Sequence, residues 1–72
     1  MPNPGHAQLA VGQPRIALLR ATAAAAIGRR LNAYYWLAQA FDQAAIAGEL
    51  LGRSADVAHD RTEAGLARSQ LT

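Results

Sequence analysis

The fold is decided by residues 14–51, which read PRIALLRATAAAAIGRRLNAYYWLAQAFDQAAIAGELL. Alanine, leucine, arginine and glutamine dominate this stretch, and all four residue types favour the helical conformation. Pro14 suits the first position of a helix, because its missing N–H would have no intrahelical partner there. No further proline occurs before Leu51. The sequence therefore predicts one long amphipathic helix over about 14–51, with a break near Gly28 as the alternative.

Shorter segments flank this long helix on both sides. Residues 1–13 are rich in proline and glycine and show no periodicity, which predicts an extended N-terminal arm. Gly52 is suited to end the long helix, and Ser54 to cap a second, polar helix over about 55–69. The predicted fold class is all-α, with the two helices of region 14–72 forming a hairpin or an extended pair. No internal repeat stands out in the sequence.

The composition indicates a domain whose own hydrophobic core is too small to stabilise the fold fully. A chain of 72 residues is near the lower limit for an independent hydrophobic core. It contains no cysteine, which excludes disulfides and thiolate metal sites and is typical of a reducing compartment. Association with other protein is the remaining source of stability, so the composition predicts an oligomer or a docked subunit.

Charge is distributed unevenly along the chain. Residues 1–36 contain four arginines and no acidic residue, whereas residues 37–72 contain three arginines and five acidic residues. Antiparallel pairing of two long helices would bring the two kinds of charge together, with the helices crossing near Ala33 and Tyr34. The net charge of +2 is too small to indicate nucleic-acid binding.

One face of the predicted long helix carries most of its large apolar residues. Their spacing of three and four residues is typical of a coiled-coil heptad, and alanine-rich rows flank them on both sides. We call this row the predicted seam and expect it to pack against another helix. Its members are Ile16, Leu19, Ile27, Leu31, Tyr34, Leu37 and Phe41.

All four aromatic residues lie within eight positions, at Tyr34, Tyr35, Trp36 and Phe41. Successive helical residues are about 100° apart, so the first three of these side chains must point in different directions. Tyr34 and Phe41 belong to the predicted seam. Tyr35 and Trp36 diverge from it, and we expect them to bind a partner protein, since tryptophan is common at binding hot spots. The alternative is that they pack against the second helix or the N-terminal arm of the same chain.

No catalytic or metal-binding pattern is evident. Asp56, His59, Asp60 and Glu63 would share one face of the second helix, but a single helix without a second histidine or cysteine region does not supply a closed metal site. The simpler interpretation is a solvated acidic face. No phosphate-binding loop or nucleophile–base pair occurs. The sequence therefore predicts neither an enzyme nor a bound cofactor or metal.

One stretch resembles a known class of protein. Residues 41–56, FDQAAIAGELLGRSAD, resemble helical segments in minor head and portal-associated proteins of tailed phages. Those segments combine an apolar, alanine-rich helix ending in Leu-Gly-Arg with a capped restart of the helix. The resemblance implies a structural subunit docked in a larger particle, and it implies no particular functional residue.

These observations predict a non-enzymatic helical subunit that self-associates or docks onto a larger protein assembly. The alternative is a small regulator, antitoxin-like or inhibitor-like, that binds one protein target; a nucleic-acid-binding module is less favoured. We expect no membrane span, because Arg20, Asp42 and Glu49 interrupt the apolar segments, and we see no secretory leader. The expected location is the cytoplasm or a particle assembled there.

Overall fold

The computed structural model describes residues 12–71, which form three α-helices and no strand. The helices are α1 (Pro14–Leu31), α2 (Tyr34–Leu50) and α3 (Ser54–Ser69). The predicted all-α class is confirmed for these residues, whereas the predicted arm at 1–13 lies outside them except for its last two positions. No helix in this part of the chain is long and apolar enough to cross a bilayer.

The predicted continuous helix over 14–51 is wrong, because the chain reverses between α1 and α2. Asn32 adopts a left-handed backbone conformation with φ of 51°. Its N–H donates to the carbonyl of Arg29 at 3.3 Å, and the N–H of Ala33 donates to the carbonyl of Gly28 at 2.9 Å. These two bonds form a Schellman motif, which satisfies carbonyls at the end of a helix and stops it. The break therefore lies just beyond Gly28 rather than at it.

The turn between α2 and α3 repeats this geometry. Gly52 has φ of +72°, its N–H donates to the carbonyl of Glu49 at 3.1 Å, and the N–H of Arg53 donates to the carbonyl of Gly48 at 2.9 Å. Gly52 thus ends the helix as predicted. Ser54 is not the cap that we predicted: it is the first residue of α3, and no side chain caps this helix.

The structure contains a 20-residue repeat that the sequence does not make obvious. The three helices begin at residues 14, 34 and 54. A Cβ added to Gly28 would lie 3.4 Å from Leu37, and one added to Gly48 would lie 2.9 Å from Val57, so each glycine faces a residue nine positions later. The helix-to-helix turn and the contact beside it are therefore built in the same way twice.

α2 is the central helix, and both α1 and α3 pack against it. Gly28 lies against Leu37, while Ala17 clusters with Ala47, so α1 and α2 are antiparallel. Two antiparallel helices thus occur within one chain, but Asp42 and Glu49 pair with Arg68 and Arg61 of α3 rather than with arginines of α1. Pairing between two copies stays a prediction. The point where we expected two copies to cross, near Ala33, is where the chain turns back. The molecule measures 32 × 30 × 19 Å.

Replacing Asn32 with alanine distinguishes the hairpin from a continuous helix. In the hairpin, alanine must adopt the left-handed conformation, which costs roughly 1–2 kcal/mol. We therefore expect Asn32→Ala to lower the free energy of unfolding in urea, and Asn32→Gly to match or exceed the original chain. In a continuous helix alanine would instead be stabilising and glycine destabilising, so the reverse order would contradict the observed turn.

Gly48 offers a test of the close contact between α2 and α3. A methyl group at this position would lie 2.9 Å from the Cγ2 atom of Val57, so the valine must shift. We expect Gly48→Ala to destabilise the chain by about 1 kcal/mol, as overpacking outweighs the gain in helix propensity. Gly28→Ala is the matched control, since its contact is of ordinary length, and we expect it to be nearly neutral or stabilising.

Candidate interaction surface

Alanine forms most of the core. Thirteen apolar residues between positions 12 and 71 are buried; three of them are large, Leu37, Phe41 and Val57, and the other ten are alanines. One cluster joins Ala25 of α1, Phe41 of α2 and Ala64 of α3, with Tyr34 packed against it. Because an alanine side chain ends at Cβ, the helices approach closely and leave little room between them for larger side chains.

Most of the large apolar side chains are consequently outside. Ten of them are exposed within the described residues, with Leu19 at 72 % and Trp36 at 67 % exposure. Single exposed apolar residues are ordinary, but this proportion in a chain whose core is mostly alanine is not. The ten are Ile16, Leu19, Ile27, Leu31, Tyr35, Trp36, Ile46, Leu50, Leu66 and Leu71.

The predicted seam divides at the turn. Leu37 and Phe41 are buried, and Tyr34 packs against the core. The four members on α1 are exposed, because α1 contacts α2 through its small residues instead: Ala17, Ala21, Ala25 and Gly28. Within one chain the predicted seam is therefore not one packed row. Whether its exposed half packs on a partner stays a prediction.

The side of α2 that faces away from the core carries an uncharged stripe. Trp36, Gln39, Gln43, Ile46 and Leu50 follow one another at intervals of three and four residues, with Tyr35 beside them. All are exposed except Gln43, which is half-buried. Tyr35 and Trp36 contact each other edge to face, with ring centroids 5.3 Å apart. We call these six residues the α2 stripe.

Sequence reasoning found the two aromatic members of the α2 stripe and missed the other four. The signal that could have found them is the same three-and-four spacing that defined the predicted seam, read on the opposite side of the helix. The exposure of Tyr35 and Trp36 is as expected from their divergence from the seam.

The exposed side of α1 differs from the α2 stripe in carrying positive charge. Helical periodicity places the exposed apolar residues of α1 within an arc of about 120°, together with two arginines. α1 contains no acidic residue. We call this surface the α1 arginine face; its members are Ile16, Leu19, Arg20, Ile27, Arg30 and Leu31.

A groove of about 470 Å³ separates α1 from α3. Its floor is Phe41 and Ala44 of α2, and charged side chains of α3 line one wall. Arg29 spans the groove, with its guanidinium 5.4 Å from the centre of the Phe41 ring and 3.1 Å from a carboxylate oxygen of Glu63. Arg29 is exposed and Glu63 is half-buried, so solvent screens this ion pair and limits its contribution to stability.

Two further ion pairs join α2 to α3, Asp42 with Arg68 and Glu49 with Arg61. The Asp42–Arg68 pair is bidentate, and hydrogen bonding to Asp42 raises the pKa of Arg68. The sequence had suggested that Asp42 and Glu49 would meet arginines of a second copy. The structure pairs them within the chain instead, so these carboxylates are already neutralised beside the α2 stripe.

The acidic face of α3 stands at the groove. Asp56, His59 and Asp60 line it, while Glu63 is held by Arg29. Within residues 12–71, no three histidine, aspartate or glutamate side chains are gathered closely enough to hold a metal ion. Burial raises the pKa of Asp60 above its ordinary value; His59 opposes this rise, and the neighbouring carboxylates add to it.

The raised pKa of Asp60 predicts how stability depends on pH. The folded chain binds this proton more tightly than the unfolded chain, so stability falls as the pH rises through the folded-state pKa. We expect Asp60→Asn to raise the melting temperature at about pH 7 and to have no effect at about pH 3, where both states are protonated. Asp56→Asn should give a smaller gain at about pH 7, because it removes one of the carboxylates that raise the pKa of Asp60 but leaves Asp60 itself. An equal gain at both pH values would contradict the prediction.

Comparison of this chain with protein-family models, with curated proteins and with solved structures found no match. No residue role is therefore transferred from a relative. The candidate functional surfaces are the uncharged α2 stripe and the α1 arginine face, which lie outside a core made mostly of alanine.

Proposed function

We propose that this chain is a non-enzymatic helical subunit that associates with copies of itself or docks onto a larger protein assembly. The observation that carries the proposal is the exposure of ten large apolar side chains around a core made mostly of alanine. Burying one such side chain is worth roughly 1.5–3 kcal/mol, which is large beside the small core that the chain builds alone. A partner that covers several of them would add stability on the scale of a small domain's total.

The α2 stripe is the surface that we assign to this association. Its spacing is that of a coiled-coil seam, and it is free of charge. Its pattern is also nearly symmetric about Gln43, since Trp36 and Leu50 each lie seven residues away. Antiparallel pairing of two stripes would set Trp36 of one copy against Leu50 of the other and bring the two Gln43 amides within hydrogen-bonding reach.

Two further considerations bear on the kind of assembly. The resemblance of residues 41–56 to segments of phage minor head and portal-associated proteins favours a subunit of a particle that is assembled in the cytoplasm. The competing role is a regulator, antitoxin-like or inhibitor-like, that lays the same helix on one protein target. A particle subunit would occur in many symmetric copies, whereas a regulator would form a complex of low and fixed stoichiometry.

Sedimentation equilibrium over a wide concentration range tests the proposed self-association. We expect a reversible dimer or larger oligomer that Trp36→Ala and Leu50→Gln both weaken. A hot-spot tryptophan is worth about 2 kcal/mol or more, which corresponds to a loss of about 30-fold in affinity. Circular dichroism should show unchanged helicity in both variants, because these side chains make few contacts within the chain.

Leu66→Gln is the matched control for Leu50→Gln. The two leucines are similarly exposed, at 56 % and 52 %, but Leu66 lies on α3, away from the α2 stripe. The control should therefore leave the dissociation constant unchanged. Equal effects of the two substitutions on the dissociation constant would indicate non-specific hydrophobic association rather than a defined surface. A chain that remains monomeric at every concentration would contradict self-association, and would leave docking onto a different protein as the form of the proposal to pursue.

A further inference from the structure

The arginines of α1 have chemistry that helix pairing does not use. Among the described residues, Arg15, Arg20 and Arg30 form no ion pair, whereas Arg29 is held by Glu63. Arg20 and Arg30 also lie within the same arc as Ile27 and the other exposed apolar residues of α1. This outer helix therefore presents aliphatic side chains and unpaired guanidinium groups together.

We infer that the α1 arginine face binds an anionic lipid surface, on which α1 lies flat. Such a surface supplies the two things that this face lacks, which are negative charge for the guanidinium groups and an apolar layer for the aliphatic side chains. The long arginine side chains can reach the headgroups while Ile27 and Leu31 enter the boundary of the acyl chains. The contact is peripheral, with α2 packed behind α1 on the side away from the lipid.

The charge pattern favours lipid over a second copy of this chain at this particular face. In a symmetric contact the same patch meets itself, so the arginines of α1 would face arginines with no carboxylate between them. The unpaired carboxylates of the chain, Asp56 and Asp60, instead line the groove beside α3. A single copy resting on lipid through α1 thus turns positive charge toward the headgroups and keeps these acidic side chains on another side.

The apolar residues also favour lipid over nucleic acid. Phosphates of DNA or RNA would satisfy the arginines but would offer no apolar environment for Leu19 and Leu31, which are 72 % and 70 % exposed. The exposed apolar positions run from Ile16 to Leu31, along nearly the whole of α1.

Flotation with lipid vesicles tests the inference on the intact chain. The vesicles are phosphatidylcholine alone, or phosphatidylcholine with about 30 % phosphatidylglycerol to supply an anionic surface. We expect binding to the anionic vesicles at low salt, little binding to the neutral ones, and weakening as salt is raised.

Paired substitutions separate the two contributions. Arg20→Gln and Arg30→Gln should each weaken binding to the anionic vesicles by about fivefold. Arg53→Gln is the charge-matched control: it also removes one positive charge, but from the linker beside the groove, and should weaken binding much less. Leu31→Gln should also weaken binding to the vesicles. The same substitution at Leu66, an exposed leucine on α3, should not. Circular dichroism of each variant verifies that the helices are retained.

Three outcomes would overturn the inference: no binding to anionic vesicles at low salt, equal losses for Arg53→Gln and Arg30→Gln, or dependence on the arginines without dependence on Leu31. The last outcome would identify a general polyanion site, such as one for nucleic acid. The proposed self-association is tested at a different surface, so Leu50→Gln should leave vesicle binding intact. The two proposals can therefore fail separately.

Discussion

The close approach of helices through alanine and glycine is the constraint on which the rest of this structure depends. α1 meets α2 through Ala17, Ala21, Ala25 and Gly28, and α2 meets α3 with Gly48 directly against Val57. Contacts of this kind bring helix axes together and leave space between them for few large side chains, which here are Leu37, Phe41 and Val57. Most large apolar side chains are therefore displaced to the outside, and the surface acquires both the α2 stripe and the α1 arginine face.

The sequence was sufficient to predict helices but not the point at which the chain turns. The all-α class, the role of Gly52 and the extent of the last helix followed from residue propensities, and the structure agrees within one residue. The turn at Asn32 did not follow, because asparagine in an alanine-rich stretch only mildly disfavours helix. Asn32 tolerates the left-handed conformation that ends a helix, which is a weak local signal. The packing of Ala21 and Ala25 against α2 then favours the turn, and no local property of Asn32 indicates that packing.

The antiparallel arrangement of helices that we expected between two copies is already present between α1 and α2 of one chain. A helical hairpin and an antiparallel pair of long helices bring the same faces together, so periodicity and charge alone do not distinguish them. The helical wheel also gave most weight to Ile16, Leu19 and Ile27, since large side chains usually mark a packed face. Here the packed face of α1 is its alanine row, which has the smaller side chains and the weaker signal. Tyr35 and Trp36 were assigned correctly to the exposed side, because their directions follow from helix geometry alone.

The order of the helix contacts has a consequence for how the chain folds. Within the described residues, the extensive helix contacts are those between neighbours in sequence, and turns of a few residues separate them; α1 and α3 meet mainly through the shared core cluster and the Arg29–Glu63 ion pair. Forming these contacts closes only short loops, so the entropic barrier to folding is low. Because α2 takes part in both interfaces, either outer helix can detach while the other remains packed. Transient release of α1 would then expose its alanine row as well, so local unfolding would enlarge the exposed apolar surface of the chain.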